Sequence, residues 1–203
     1  MYEHHLPSLN EQRRHQLMAE ADAHRLINAA RDYEMPARAI PDTIWAEGTM
    51  LQVRPIACED VDRLTRLFGR LSPRSVQLRF FSPIPGMSRA QLIRLVDVDH
   101  IRREALVALS NDEIVAVARY DGREVATEAE IAVTVEDTWQ RRGIGKRLTR
   151  RLSTLAVARG YNTFIADILP DNRAALSLVR NLSTETSVRW SDGAYEALIP
   201  LER

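Results

Sequence analysis

Midway along the chain the hydrophobic period changes within a few residues, and that change limits the possible folds more than any other feature. Glu128 to Val135 reads as a strand carrying Ile131, Val133 and Val135. After Gly143, the residues Ile144, Leu148, Leu152 and Leu155 recur at helical spacing, and Gly160 ends the run. Earlier elements lead up to this strand–turn–helix unit. Met50 to Ile56 alternates, and Val61, Leu64, Phe68 and Leu71 mark an amphipathic helix. Pro73 to Phe81 predicts a short helix closed by a proline-rich turn, and Ser88 caps another carrying Leu92, Leu95 and Val96. Ala105–Leu109 and Ile114–Arg119, joined by Asn111-Asp112, predict a hairpin. Downstream come a strand from Phe164 to Leu169, a helix lined by Ala175, Leu178, Val179 and Leu182, and a hairpin between Thr184 and Leu201 turning at Gly193. Consecutive strands followed by β-α-β-α-β predict a mixed α+β domain and exclude a regular doubly wound sheet.

The first 48 residues read differently. Ser8 to Tyr33 is rich in helix formers, with Ala19, Ala23, Leu26, Ala30 and Tyr33 on a narrow apolar stripe. The prolines Pro36 and Pro41 follow as a linker. The expected division is residues 1–48 as helix and linker, and 49–203 as the main domain. A helix this weakly apolar needs a partner, either that domain or a second copy in a homodimer. Lys plus Arg equals Asp plus Glu at 28 each, so no overall charge draws the chain to nucleic acid or a membrane. With a single cysteine, Cys58, no intramolecular disulfide forms. Lacking a signal-like start or an apolar run of spanning length, the chain is expected in the cytoplasm.

The turn itself carries chemistry. In Trp139-Gln140-Arg141-Arg142-Gly143-Ile144-Gly145-Lys146-Arg147-Leu148, two glycines let the backbone turn sharply and aim successive amides at one point. Those amides open a helix, where unsatisfied donors and the macrodipole favour an anion. Arg141, Arg142, Lys146, Arg147, Arg150 and Arg151 surround the same spot. Cations in a first helical turn oppose the dipole, and a bound polyphosphate accounts for them. The run is neither a Walker loop nor a dinucleotide fingerprint, because the spacing of the former and the third glycine of the latter are missing.

Gln140-Arg141-Arg142-Gly143-Ile144-Gly145 is similar to the Gln/Arg-x-x-Gly-x-Gly/Ala motif of the GNAT acetyltransferases. That resemblance covers about the last three quarters of the chain and implies a mixed, mostly antiparallel central sheet flanked by helices. It implies acetyl-CoA as co-substrate and no metal, with the loop from Gln140 to Arg147 holding the pyrophosphate. The main chain of Val133 and Val135 would then pair with the pantetheine arm. Asn172, in the family-like Asn172-Arg173-Ala174-Ala175, would hydrogen-bond the same arm, or else serve as a plain helix cap.

Acetyl transfer to an amine requires the amine neutral, although a lysine has a pKa near ~10.4. A carboxylate beside the thioester can take the proton. Glu130 resembles the general base of the family's protein-lysine enzymes, and Glu128, on the same strand face, competes for the role. Where many members carry a tyrosine acid this chain has Val179, which favours a mechanism without one; Tyr161 and Tyr195 stay open. Leu71 to Pro83 is similar to the opening of the catalytic domain in bacterial Pat-type protein lysine acetyltransferases, with Arg79-Phe80-Phe81 as either a substrate-side wall or core. The expected acceptor is therefore a protein lysine, with a small amine as the alternative. A non-catalytic acyl-CoA-binding domain is the remaining one. Asp97, Asp99 and His100 are expected to form a turn rather than a metal site.

Overall fold

The computed structural model describes residues 43–82, 86–123 and 127–202. The helix expected between Ser8 and Tyr33, and the linker after it, lie outside the described residues. Eight strands form one sheet in the order β1-β2-β3-β4-β5-β6-β8-β7. They are β1 Thr43–Ala46, β2 Thr49–Pro55, β3 Arg103–Ser110, β4 Glu113–Gly122, β5 Glu128–Val135, β6 Thr163–Ile168, β7 Ser187–Ser191 and β8 Ala194–Pro200. Every neighbouring pair is antiparallel except β5 with β6. Helices α1 Val61–Arg70, α2 Pro73–Phe80 and α3 Arg89–Val96 lie between β2 and β3; α4 Ile144–Ala158 joins β5 to β6, and α5 Arg173–Arg180 follows β6.

Three hairpins turn on two residues, Glu47-Gly48, Asn111-Asp112 and Asp192-Gly193, each with positive φ at both positions. That geometry matches the right-handed twist of the strands it joins. The first of these hairpins brings Thr43–Ala46 into the sheet, so the sheet starts ahead of the expected boundary at Thr49.

Two apolar clusters sit on opposite faces of the sheet. On one face Ile144, Leu148, Leu152 and Leu155 of α4 pack on Leu106, Ala116 and Ile131. On the other, Leu64 and Leu67 of α1 and Leu92 and Val96 of α3 cover Val107, Ile114 and Val117. The spacing predicted from sequence is thus the buried stripe of each helix. Burying a leucine of this kind contributes about 1.5–3 kcal/mol.

Charged groups fasten the strand ends. Asp60, fully buried, accepts from both Nη atoms of Arg54 at 2.6 and 2.7 Å and from the Ala57 amide at 2.9 Å. Glu104, also buried, accepts from the Ala105 amide at 2.9 Å and from Arg159 at 3.1 Å. Arg159 also donates to the Tyr120 hydroxyl at 3.1 Å. The Asp97–His100 segment is an irregular connection ending in a bend: Asp99 accepts from the amides of Ile101 and Arg103, and His100 Nδ1 lies 2.8 Å from Glu104.

Candidate active site

The site is built around a fork in the sheet. β5 pairs with β6 only through Glu128, Ala129 and Glu130, opposite Thr163, Phe164 and Ile165, yet β5 runs on to Val135 and β6 to Ile168. Beyond Glu130 the two strands part and leave a cleft. The Glu136 amide donates to Val115 of β4, so by alternation the main-chain groups of Val133 and Val135 point away from β4 and into that cleft. The Val135 carbonyl accepts from the Gln140 side chain at 3.1 Å.

At the open end of the cleft stands the N-terminus of α4. Gly143 occupies its cap position with φ +74°, a left-handed conformation in which a side chain is strained. The caps of α2, α3 and α5 are Ser72, Ser88 and Asn172, each accepting a backbone amide of its own first turn; Gly143 has no side chain to do this. The amides of Ile144, Gly145 and Lys146 therefore have no side-chain cap. Gly145 faces both walls: a Cβ there would lie 3.5 Å from Val133 and 3.8 Å from Leu178 of α5.

The six cations predicted around the loop divide into two sets. Arg142 lies over the Trp139 ring at 4.9 Å and reaches Glu47 at 3.4 Å. Arg147 folds back to the Arg142 carbonyl at 3.2 Å, and Arg151 donates to the Thr43 carbonyl at 2.7 Å. Among the described residues Arg141, Lys146 and Arg150 make no ion pair. Three cations thus brace the loop and three extend from it.

Glu130 sits on the last paired rung before the fork. Its side chain is 55% exposed, and Arg123 stands 3.9 Å away. Glu128 lies one step deeper on the same face, at the closed end opposite Thr163. Ala132 and Thr134 continue that face, which lies under α1, α2 and α3. Asn172 caps α5 through its Oδ1 on the Ala175 amide at 3.0 Å. Val179 is buried in the core. The Tyr161 hydroxyl lies against Gly122 at the closed end, while Tyr195 packs edge-on against Trp190 at 5.2 Å on the far side of the sheet from Glu130.

Two features of the site were not foreseen. Helix α2 is fastened over the cleft from both sides. Asp137, in the short turn after β5, accepts from the Ser72 amide at 3.0 Å and from the Ser72 and Ser75 hydroxyls at 2.7 and 2.8 Å. Burial pushes the Asp137 carboxyl up, but these hydrogen bonds outweigh it and hold the group below the usual carboxylate range. Gln140 donates to Ser75 as well, and Arg74 pairs with Asp171 next to Asn172. The other is Arg119 of β4, which lines the recess beside Glu130 together with Arg79. A lone arginine in an apolar strand gives no sequence signal of that proximity. Of the two aromatics after Arg79, Phe80 packs against Phe68 at 5.6 Å and Phe81 is exposed.

Comparison with known proteins agrees with this arrangement. The family described as acetyltransferase (GNAT) matches residues 78–182. An acetyltransferase of Pseudomonas aeruginosa is 30% identical over 69% of this chain and 80% of its own length. The acetyltransferase Pat of Mycolicibacterium smegmatis is 32% identical over 78% of this chain, which spans 48% of that longer protein. The crystal structure of the GNAT domain of S. lividans PAT superposes with a TM-score of 0.75 at 30% identity, covering 83% of this chain and 100% of that one. A loop with two glycines, an uncapped helix start and a forked sheet therefore stand in a chain whose family is established: it belongs to the acetyltransferase (GNAT) family, enzymes that draw on acetyl-CoA to acetylate an amine.

Proposed function

We propose that this chain transfers the acetyl group of acetyl-CoA to a protein lysine, with Glu130 as the general base. The observation that carries this reading is the position of Glu130 on the last paired rung of the β5–β6 fork. Five residues up the strand, at about 3.3 Å per residue, the fork reaches the α4 N-terminus about 17 Å away. The amides of Ile144, Gly145 and Lys146, together with Arg141, Arg142, Lys146 and Arg147, suit the pyrophosphate of the cofactor at that end. The main chain of Val133 and Val135, and the Asn172 amide left over from capping, suit the arm between. The thioester then lies at the Glu130 end. There the amine nitrogen forms a bond to the acetyl carbon as the carbon–sulfur bond breaks, the amine proton passes to Glu130, and CoA leaves as its thiolate. With Val179 in the tyrosine position, thiolate departure needs no side-chain acid from α5.

A lysine acceptor is supported by the Pat-like sequence from Leu71 to Pro83, of which Pro73–Phe80 form α2 above Glu130, and by relatives that carry the name Pat. The test is acetyl transfer to lysine peptides and to small amines, for the wild type and Glu130→Gln. Full activity in the variant overturns the base assignment, and turnover of polyamines alone overturns the lysine reading.

A further inference from the structure

Two guanidinium groups, Arg79 in the field of Glu130 and Arg119 in that of Asp121, have no carboxylate within ion-pair distance among the described residues. Arg79 from α2 and Arg119 from β4 line a recess of about 20 Å³ with Phe68, Ala132 and Thr134. Arg119 is the cross-strand partner of Ala132, two residues along from Glu130 and so on the same face. Among the described residues neither arginine makes an ion pair. Arg119 Nη1 donates to the Leu95 carbonyl at 3.3 Å, and Arg79 lies over the Phe80 ring at 5.0 Å. Most donors of both forks are unused. Burial, and then the neighbouring Arg79 charge, push Arg119 down to about 10. Two like charges, half-buried and met only at a distance by Glu130 and Asp121, are costly to hold. Among the described residues the chain matches its buried carboxylates, Asp60, Glu104 and Glu136, with arginines.

The recess also fixes what kind of anion fits. Its volume holds about one water-sized group, room for a single carboxylate oxygen. It lies on the face of β5 that carries Glu130, whereas α4 and the loop pack on the opposite face. The anion therefore belongs to the molecule that gives up its proton to Glu130. We propose that Arg79 and Arg119 form an acceptor subsite that selects amines with a carboxylate close by, either an acidic residue next to the target lysine or the carboxyl group of a free amino acid. This rests on the transfer reading above for its acceptor, and on the recess alone for its anion.

The experiment compares kcat/KM for blocked lysine peptides that carry Glu or Gln beside the lysine, and for free lysine against its amide. A preference of about 10- to 100-fold for the carboxylate form is expected, the strength of a charge-assisted hydrogen bond. The peptide pair and the amino-acid pair tell the two sources apart. In Arg79→Gln and Arg119→Gln the preference falls toward one, with acetyl-CoA affinity kept. If Arg119→Gln does not fold, Arg79→Gln decides, and Arg119→Lys keeps the charge while losing the fork. A wild-type ratio near one, or a ratio that survives both variants, overturns the subsite. So does an arginine-dependent preference seen only for succinyl-CoA over acetyl-CoA. Calorimetric titration of the same peptides with CoA present separates the two readings. Carboxylate-dependent binding without transfer keeps the subsite and removes the lysine transfer. Transfer without such a preference does the reverse.

Discussion

The two halves of the molecule's fixed charge, its buried carboxylates and the cations of the fork, are treated in opposite ways. Among the described residues every buried carboxylate is met: Asp60 by Arg54, Arg63 and a backbone amide, Glu104 by Arg159 and the Ala105 amide, and Glu136 by Arg70. At the fork, cations outnumber what the described residues offer them: Arg141, Lys146 and Arg150 around the loop, Arg79 and Arg119 in the recess. Charge that is satisfied inside the chain holds the fold, because removing one partner strands the other in a poor solvent. Charge left unmatched near a cleft is available to a ligand. The two halves should therefore fail in different ways.

The largest effect is expected at the fork. Glu130→Gln should lower acetyl transfer by about 10³-fold, within the range for loss of a general base. Acetyl-CoA affinity should stay within about threefold and the melting temperature unchanged, since the side chain is exposed. Steady-state kinetics beside calorimetry reads both. A variant that loses CoA binding in step with activity would move Glu130 from the chemistry to the cofactor.

Next come the buried carboxylates. Asp60→Asn should cost about 3 kcal/mol of stability by leaving Arg54 without its bidentate partner, read by chemical denaturation. Acetyl-CoA affinity of the folded fraction should hold. Burial pushes Asp60 up, but the Arg54 hydrogen bonds and the Ala57 amide outweigh it, so its folded pKa is depressed. Its contribution is therefore complete above the ordinary carboxylate value of ~3.9 and is lost as pH falls through the lower folded value. The stability gap between wild type and Asp60→Asn should close in that acid range.

Gly143→Asp should show the reverse pattern. A left-handed φ of +74° strains any side chain, and a Cβ here would meet the Arg147 tip at 2.5 Å. That tip is the mobile end of a long side chain, so the fold can adjust for about 1 kcal/mol. A carboxylate among the uncapped amides should weaken acetyl-CoA about 30-fold by calorimetry, about 2 kcal/mol. If Asp60→Asn weakened acetyl-CoA as much as Gly143→Asp does, the contrast between the two halves would carry no functional meaning.

Much of the fold was legible because its elements are local. The α4 stripe, the Ser88 cap and the Asn111-Asp112 hairpin each depend on residues a few positions apart. β1 was missed because Glu47-Gly48 is a weaker turn signal than Asn-Gly, and its strand has only four residues. In the candidate site, the loop was proposed from neighbouring residues and Glu130 from its resemblance to the family. The fork could not, since it depends on a parallel register between strands that begin 35 positions apart, at Glu128 and Thr163. The recess was hidden for the same reason: Arg79 and Arg119 come from different elements and meet only after α2 folds over β4 and β5. Counting cations around the loop also gave no sign that Arg142, Arg147 and Arg151 make contacts within the chain, to Trp139 and Glu47, the Arg142 carbonyl and the Thr43 carbonyl.

The smallest effect is expected where the two halves meet, at Asp137. It joins the β5 turn to the N-terminus of α2 through Ser72 and Ser75. Being exposed, it should contribute only about 1 kcal/mol to stability, and Asp137→Asn, which keeps one acceptor oxygen, should lose no more than that. What it positions is Arg79, near the other end of the same helix and within the field of Glu130. Asp137→Asn should therefore raise KM for the acceptor severalfold while kcat and acetyl-CoA affinity change little. Because the Asp137 carboxyl is held below its ordinary range, the wild type should keep its low KM down to that range and approach the variant only below it. A purely structural tie would move melting temperature alone, so a KM that does not respond would confine Asp137 to holding the helix.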